Sequence, residues 1–181
     1  MRIEDLHSET QKIVVLEIGQ EEKVLWIGIP NTKTAMLASL RMVLFAIPWT
    51  AFSIFWICGA AGFKYPTWQG PQSLFPLFGL PFLFIGLGML TSPYWIKKAA
   101  QRSAYIITNR RAICINWKIR SAEIVSFDAA RISQMSKKIK SNGSGDIIFD
   151  KKEQGSGQYK AIGFIGLDDV KLIEEILKKV F

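Results

Sequence analysis

Histidine is nearly absent from this 181-residue chain: His7 is the only one. That scarcity removes His-based catalytic triads, histidine metal clusters and histidine proton relays. His7 itself, close to the N-terminus, reads as a solvated surface residue. Cysteine is almost as scarce, with Cys58 and Cys114 alone. Two thiols do not make a dedicated zinc site, and no disulfide is expected between them; Cys114, in an apolar stretch, reads as a buried strand thiol. Charge is missing over long stretches: residues 42–63 and 65–96 hold no Asp, Glu, Lys or Arg, and Lys64 alone separates them. Paired carboxylates are lacking as well, because Asp168 and Asp169 are adjacent and point in different directions on a helix. Gly143-Ser144-Gly145 lacks the lysine and the strand-to-helix setting of a phosphate loop. No catalytic residue, metal or cofactor is expected, and the chain reads as non-enzymatic.

What is abundant is apolar surface, at 49% of residues, and positive charge, a net of +8. A helix crossing a bilayer needs about 20 apolar residues, and the uncharged stretches allow two. The expected organisation is a cytoplasmic lead-in over residues 1–35, a transmembrane helical hairpin over 36–96 with spans at about 36–58 and 74–96, and a soluble domain over 97–181. The first span starts too far from Met1, and runs too long, for a removable signal peptide.

Arg41 can snorkel from the start of the first span. Pro48 should kink that span, Trp49 packs between helices, and Trp56 lies near the far interface. Trp68 and Tyr65 occupy a short loop where they can touch the outer headgroups. Tyr94 and Trp95 close the second span as an aromatic belt, followed by Lys97, Lys98 and Arg102. Gly79 and Gly86, seven residues apart, share one helix face that permits close approach. That face serves either another chain or, as the plainer reading, the first span. Lys33 and Arg41 flank one end of the hairpin and Lys97, Lys98 and Arg102 the other, against Lys64 alone in the loop, so both termini are expected in the cytoplasm.

The soluble part reads as strands. Residues 104–108 and 112–117 make a hairpin about Asn109-Arg110-Arg111. Further strands are expected near 122–127, 131–136, 146–150 and 159–165, with turns at 141–145 and 153–157. A C-terminal helix follows, capped by Asp168, with a Leu167–Leu172 staple and a stripe of Val170, Ile173, Ile176, Leu177 and Val180. Six or so short strands and one amphipathic helix indicate an antiparallel sandwich or barrel plugged by that helix.

Two spans, about six strands and a closing helix resemble the bacterial pleckstrin-homology (PH)-like membrane proteins. Tyr105-Ile106-Ile107-Thr108-Asn109-Arg110-Arg111-Ala112-Ile113 is similar to that family's first hairpin. Gly143-Ser144-Gly145-Asp146-Ile147 resembles its Gly-Asp-Ile entry to a later strand. Gly163 to Asp169 resembles the junction into its last helix, and Glu22 to Pro30 a segment found before the first span. The resemblance covers most of residues 20–181. It implies a bent antiparallel barrel of six to seven strands capped by a C-terminal helix, no enzymatic activity, and a place in the bacterial inner membrane as a multi-pass protein.

Between positions 97 and 140 eleven basic residues face two acidic ones, Glu123 and Asp128, a net of +9. A tethered domain with that charge is attracted to an anionic leaflet. Arg110, Arg111, Lys137, Lys138 and Lys140 are the expected candidates for anionic-headgroup binding, weighed against simple solvation of loops or, for the arginines, a structural hydrogen bond. Nucleic acid is not an expected partner, since Trp117 beside Lys118 and Arg120 belongs to no binding motif. The function expected first is that of a protein-binding module, an accessory or assembly subunit of a membrane complex or a self-oligomer. Membrane lipids are the expected partner otherwise.

Overall fold

Two neighbouring strands of one sheet are separated in sequence by everything between Gly28 and Ala104, and this interruption organises the chain. The computed structural model describes residues 2–63, 71–155 and 157–181. They fall into two units: residues 1–35 with 97–181, and residues 36–96.

The first unit begins with a 3-10 turn, Ile3–Asp5, then α1 (Ser8–Glu17) and β1 (Val24–Gly28). After the interruption come β2 (Ala104–Thr108), β3 (Ala112–Trp117) and β4 (Ala122–Phe127). The strands pair antiparallel in the order β1-β2-β3-β4. A short helix, α5 (Ala129–Ser133), leads to a second antiparallel sheet, β5 (Ser136–Ile139), β6 (Gly145–Gln154) and β7 (Gln158–Leu167), in the order β5-β6-β7. The chain closes with a helix, Val170–Val180. The architecture is therefore mixed α/β, with seven strands in a four- and a three-stranded sheet. No strand pairing joins the two sheets among the described residues, so the expected closed barrel is not formed.

Two apolar layers hold this unit together. Tyr105, Ile107, Ala112, Cys114 and Phe127 from the first sheet meet Ile147, Phe149, Phe164 and the Val170, Ile173 and Leu177 face of the last helix. On the other side of the same sheet, Ala104, Ile106, Ile113 and Ile115 pack with Ile27 against Leu6 and Val14 of the N-terminal segment. Alternate residues of β2 and β3 thus enter opposite layers, as the pleat requires. This is why both strands are apolar throughout instead of alternating. The lead-in expected as a separate segment is in fact the cover of this second face and supplies the seventh strand.

Two local expectations are corrected. Residues 131–136 do not form a strand. The Asp128 carboxylate accepts from the Arg131 N–H at 3.1 Å and caps α5, which ends before β5 begins at Ser136. The last helix is capped by Asp169, which accepts from the Leu172 N–H at 3.1 Å, one residue later than expected. Asp168 instead accepts from the Asn31 side-chain amide. Leu172 is half exposed; of the expected stripe, Val170, Ile173 and Leu177 are buried, and Ile176 and Val180 are half-buried.

The second unit holds most of α2 (Thr32–Ala60), which is helical through Pro48. It passes the length and hydropathy requirements for a membrane span. The return, expected as one helix over 74–96, is broken. A 3-10 segment, Pro71–Gly79, precedes α3 (Leu80–Leu90), and α4 (Ser92–Arg102) follows at a bend of 46°. Pro76, Pro81 and Pro93 each lack the N–H that would continue a regular ladder. Only α2 is long and apolar enough by itself among the described residues, and the bent pair qualifies only when taken as one span.

Within this unit Trp49 donates its indole N–H to Phe82 O at 3.1 Å. A side chain added at Gly79 would run into Ile57, and one at Gly86 into Thr50. The glycine face is thus occupied by α2 of the same chain and is not an open contact for another molecule. Many large side chains, including Leu37, Leu44, Phe45, Phe52, Phe55, Phe78 and Phe84, remain exposed.

Phe164 stacks on Tyr105 at 4.8 Å and meets Phe149 edge-on at 5.1 Å, with no exposed surface. Phe164→Ala should cost about 3–5 kcal/mol by transfer and cavity terms, against about 0.5 kcal/mol for an exposed control, Leu172→Ala. Urea midpoints of the detergent-solubilised protein, followed by tryptophan fluorescence, measure both.

Candidate functional site

The turn between β2 and β3 was the expected headgroup site, and its chemistry is already committed. Thr108 ends β2. Its hydroxyl accepts from the N–H groups of Arg110 (3.2 Å) and Arg111 (3.0 Å) and donates to Glu22 Oε1 at 2.7 Å. The Arg111 guanidinium grips the same carboxylate twice, Nε to Oε1 at 2.9 Å and Nη2 to Oε2 at 3.0 Å. It also donates to Glu17 Oε1 (3.1 Å), Glu17 O (2.7 Å) and Ser126 Oγ (3.2 Å). A guanidinium has five N–H donors, and all five are used. Lys23 and Asn109 complete the joint: Lys23 N–H donates to Asn109 Oδ1 at 2.8 Å, and Asn109 N–H to Lys23 O at 3.0 Å.

The electrostatics follow from this geometry. The Arg111 hydrogen bonds, assisted by those from Thr108 and the Gly19 N–H and opposed by burial, hold Glu22 at about 2. Arg111 is raised in turn, chiefly by Glu22. Arg110 is exposed and pairs with Glu21 at 2.8 Å. Two arginines thus face Glu17, Glu21 and Glu22, and this end of the sheet presents no excess of positive charge to an anion.

Of the lysines expected with them, Lys137 and Lys138 lie on β5, which is an edge strand and not a loop, and Lys140 lies in the turn just after it. Lys137 donates to Glu174 Oε2 at 2.6 Å. That bond first, and Lys178 second, keep Glu174 at about 2. Lys138 and Lys140 are exposed and have no ion-pair partner among the described residues. Of the five residues expected to bind a headgroup, Arg110, Arg111 and Lys137 are thus ion-paired with carboxylates of the same chain.

The remaining candidates divide. Arg102 pairs with Glu9 at 3.4 Å and lies over the Trp117 ring at 5.7 Å, which makes it part of the folded unit. Its carbonyl accepts from the Thr10 hydroxyl at 2.6 Å, which itself accepts from the Trp117 indole at 3.0 Å, fastening α1 to the end of α4. Arg41, Lys97 and Lys98 are exposed. Tyr94 and Trp95 are exposed and meet edge-on at 5.2 Å, and Trp56 packs on Phe75 at 5.5 Å. Trp68 and Tyr65 lie outside the described residues. Cys114 is fully buried, and burial pushes its thiol well above the ordinary range. Among the described residues no three His, Cys, Asp or Glu stand where they could hold a metal ion.

The three-stranded sheet has β5 and β7 as its outer strands. β5 is exposed at all four residues and pairs only with β6. β7 pairs only with β6, and at Ile165 the Tyr105 hydroxyl substitutes for a strand by donating to Ile165 O (3.0 Å) and accepting from its N–H (3.1 Å). Sequence reasoning missed Glu17 and Glu22 as partners of the arginine turn. The signal for them was the acidic content of residues 1–35 facing a later basic turn.

Arg111→Gln leaves the Glu22 carboxylate, 5% exposed, without its partner and should cost about 3–5 kcal/mol, whereas Arg110→Gln at the surface should cost less than about 1 kcal/mol. The folded pKa of Glu22 lies below its ordinary 4.5. Its contribution is therefore complete above that value and lost as pH falls from about 4.5 toward about 2. Urea midpoints against pH should show this acid limb in the wild type and a shallower one in Glu22→Gln. Comparison with family models, curated proteins and solved structures found no match to this chain.

Proposed function

We propose that this protein is a membrane-anchored, non-catalytic module of the bacterial PH-like kind, which acts through protein contacts at the open edge of β5. Its role is that of an accessory or assembly subunit of a membrane complex, or of a self-oligomer, in a bacterial inner membrane. Paired four- and three-stranded antiparallel sheets closed by a C-terminal helix support the PH-like reading.

The anchor is supported by connectivity. β1 and β2 are hydrogen-bonded neighbours, with Ile27 opposite Ile106 and Gly28 opposite Tyr105. A chain that enters a bilayer after β1 must re-emerge on the same side before β2. If α2 crosses in one direction, the bent α3–α4 pair has to cross back. Both termini then share one face, and Lys33, Arg41, Lys97 and Lys98 assign it to the cytoplasm.

The observation that carries the contact is the state of β5. An edge strand presents a row of backbone donors and acceptors, and another chain satisfies them by adding a strand. Lys137 is tied to Glu174 on the last helix, so Lys138 and Lys140 are left to select an acidic partner segment.

A photo-crosslinking residue at Lys138, irradiated in native membranes, should yield a discrete adduct of defined mass, either with a second copy or with one membrane protein. The same residue at Lys171 on the last helix serves as the reference. Absence of a Lys138-specific adduct, together with a lone monomer in nanodiscs on a native gel, would refute the contact.

A further inference from the structure

We propose that the β3–β4 turn, with Ile119 at its tip and a cluster of lysines behind it, is a second membrane contact that rests on the anionic surface of the bilayer. The inference rests on the reading that residues 36–96 lie in that bilayer.

The four-stranded sheet has two unlike ends. At one, the Arg110–Arg111 turn is neutralised by Glu17, Glu21 and Glu22. The other is the end from which the chain leaves after Gly28 and to which it returns at Ala104. β3 finishes there at Trp117, whose N–H donates to Ser103 Oγ at 2.9 Å, and β4 starts there at Ala122. The connecting turn, Lys118-Ile119-Arg120-Ser121, is closed by the Lys118 N–H donating to Ser121 O at 2.8 Å.

That turn places an apolar side chain between two cations. Ile119 is 69% exposed although it belongs to a folded turn. Lys118 reaches Glu123 at 3.4 Å, and Lys160 on β7 reaches the same carboxylate at 3.6 Å. Lys152 is the cross-strand partner of Lys160, and its charge too acts on Glu123. Arg120 has no ion-pair partner among the described residues. Three cations, Lys118, Lys152 and Lys160, therefore act on one carboxylate, with Arg120 in the adjoining turn, beside a crevice of about 210 Å³ lined by Trp117, Lys118, Glu123 and Lys160.

β7 belongs to the same end. The N–H of Asn31, just beyond β1, donates to Gly166 O at 2.7 Å, so the strand carrying Lys160 also borders the chain's exit toward residues 36–96. Excess positive charge is thus concentrated at the end covalently nearest the anchor. An anionic leaflet attracts such charge within a Debye length. An exposed isoleucine flanked by cations suits the boundary between headgroups and acyl chains, and gains nothing from an aqueous polyanion.

The full chain, with Cys58→Ser and an environment-sensitive fluorophore on Ile119→Cys, is reconstituted in nanodiscs of phosphatidylcholine alone or with phosphatidylglycerol. Gln20→Cys, beside the neutralised end, is labelled as a control. The expected result is a blue shift and intensity rise at Ile119 in anionic discs only. It should fade as salt approaches about 1 M, where the Debye length falls to about 3 Å, with no change at Gln20. Replacing Lys118, Arg120, Lys152 and Lys160 with Gln should abolish the shift while circular dichroism and the melting curve hold. A probe at Ile119 that stays in water in both compositions overturns the contact. Carbonate extraction of wild-type membranes separates the two readings. A chain that resists extraction but keeps Ile119 wet loses only this contact, whereas an extracted chain loses the anchor and the contact together.

Discussion

The joint between Arg111 and the carboxylates of Glu17 and Glu22 is the constraint on which the folded unit depends. It connects a segment that precedes the long interruption to a hairpin that follows it. The cost of closing so long a loop must be met by contacts between its two ends. A single guanidinium with all five donors engaged, a threonine hydroxyl shared by two turn amides and a carboxylate, and the reciprocal Lys23–Asn109 pair fix the register of β1 on β2. With that register set, Ile27 enters the outer layer with Leu6 and Val14, and Trp26 turns inward to Phe164. A slip by one residue would exchange those faces.

Two further segments have equally local explanations. At Gly145 the neighbouring β5 backbone approaches so closely that a Cβ would collide with the Lys138 carbonyl. Asp146 accepts from the Gly166 N–H at 2.8 Å, and Gly166, with φ of +72°, turns its carbonyl to Asn31. Motifs far apart in sequence therefore meet around the exit from β1. The Tyr105 to Arg111, Gly145 to Ile147 and Gly166 to Asp169 segments build the scaffold.

Charge is distributed by the same logic. Arginines whose guanidinium planes match carboxylates are spent on structure, where geometry matters. Lysines such as Lys138, Lys140, Lys152 and Lys160 remain at the surface, where a mobile point charge suffices. A reading that treats every basic residue in residues 97–140 as equivalent overlooks that the arginine turn is neutralised by acids from residues 17–22.

Local chemistry was legible in the sequence alone. The long uncharged run exposed α2, the apolar period exposed the last helix, and the β2–β3 hairpin followed from its apolar runs about a polar turn. The single histidine and the scarcity of cysteine shaped the functional reading. What the sequence could not show was pairing between distant segments. That β1 completes the first sheet, that α1 covers its outer face, that Arg111 is consumed and that Lys137–Lys138 forms an edge all depend on contacts between residues far apart in the chain. Propensity and periodicity describe a residue and its near neighbours. Which acid meets which base, and which glycine faces which helix, is decided only when the chain folds back on itself.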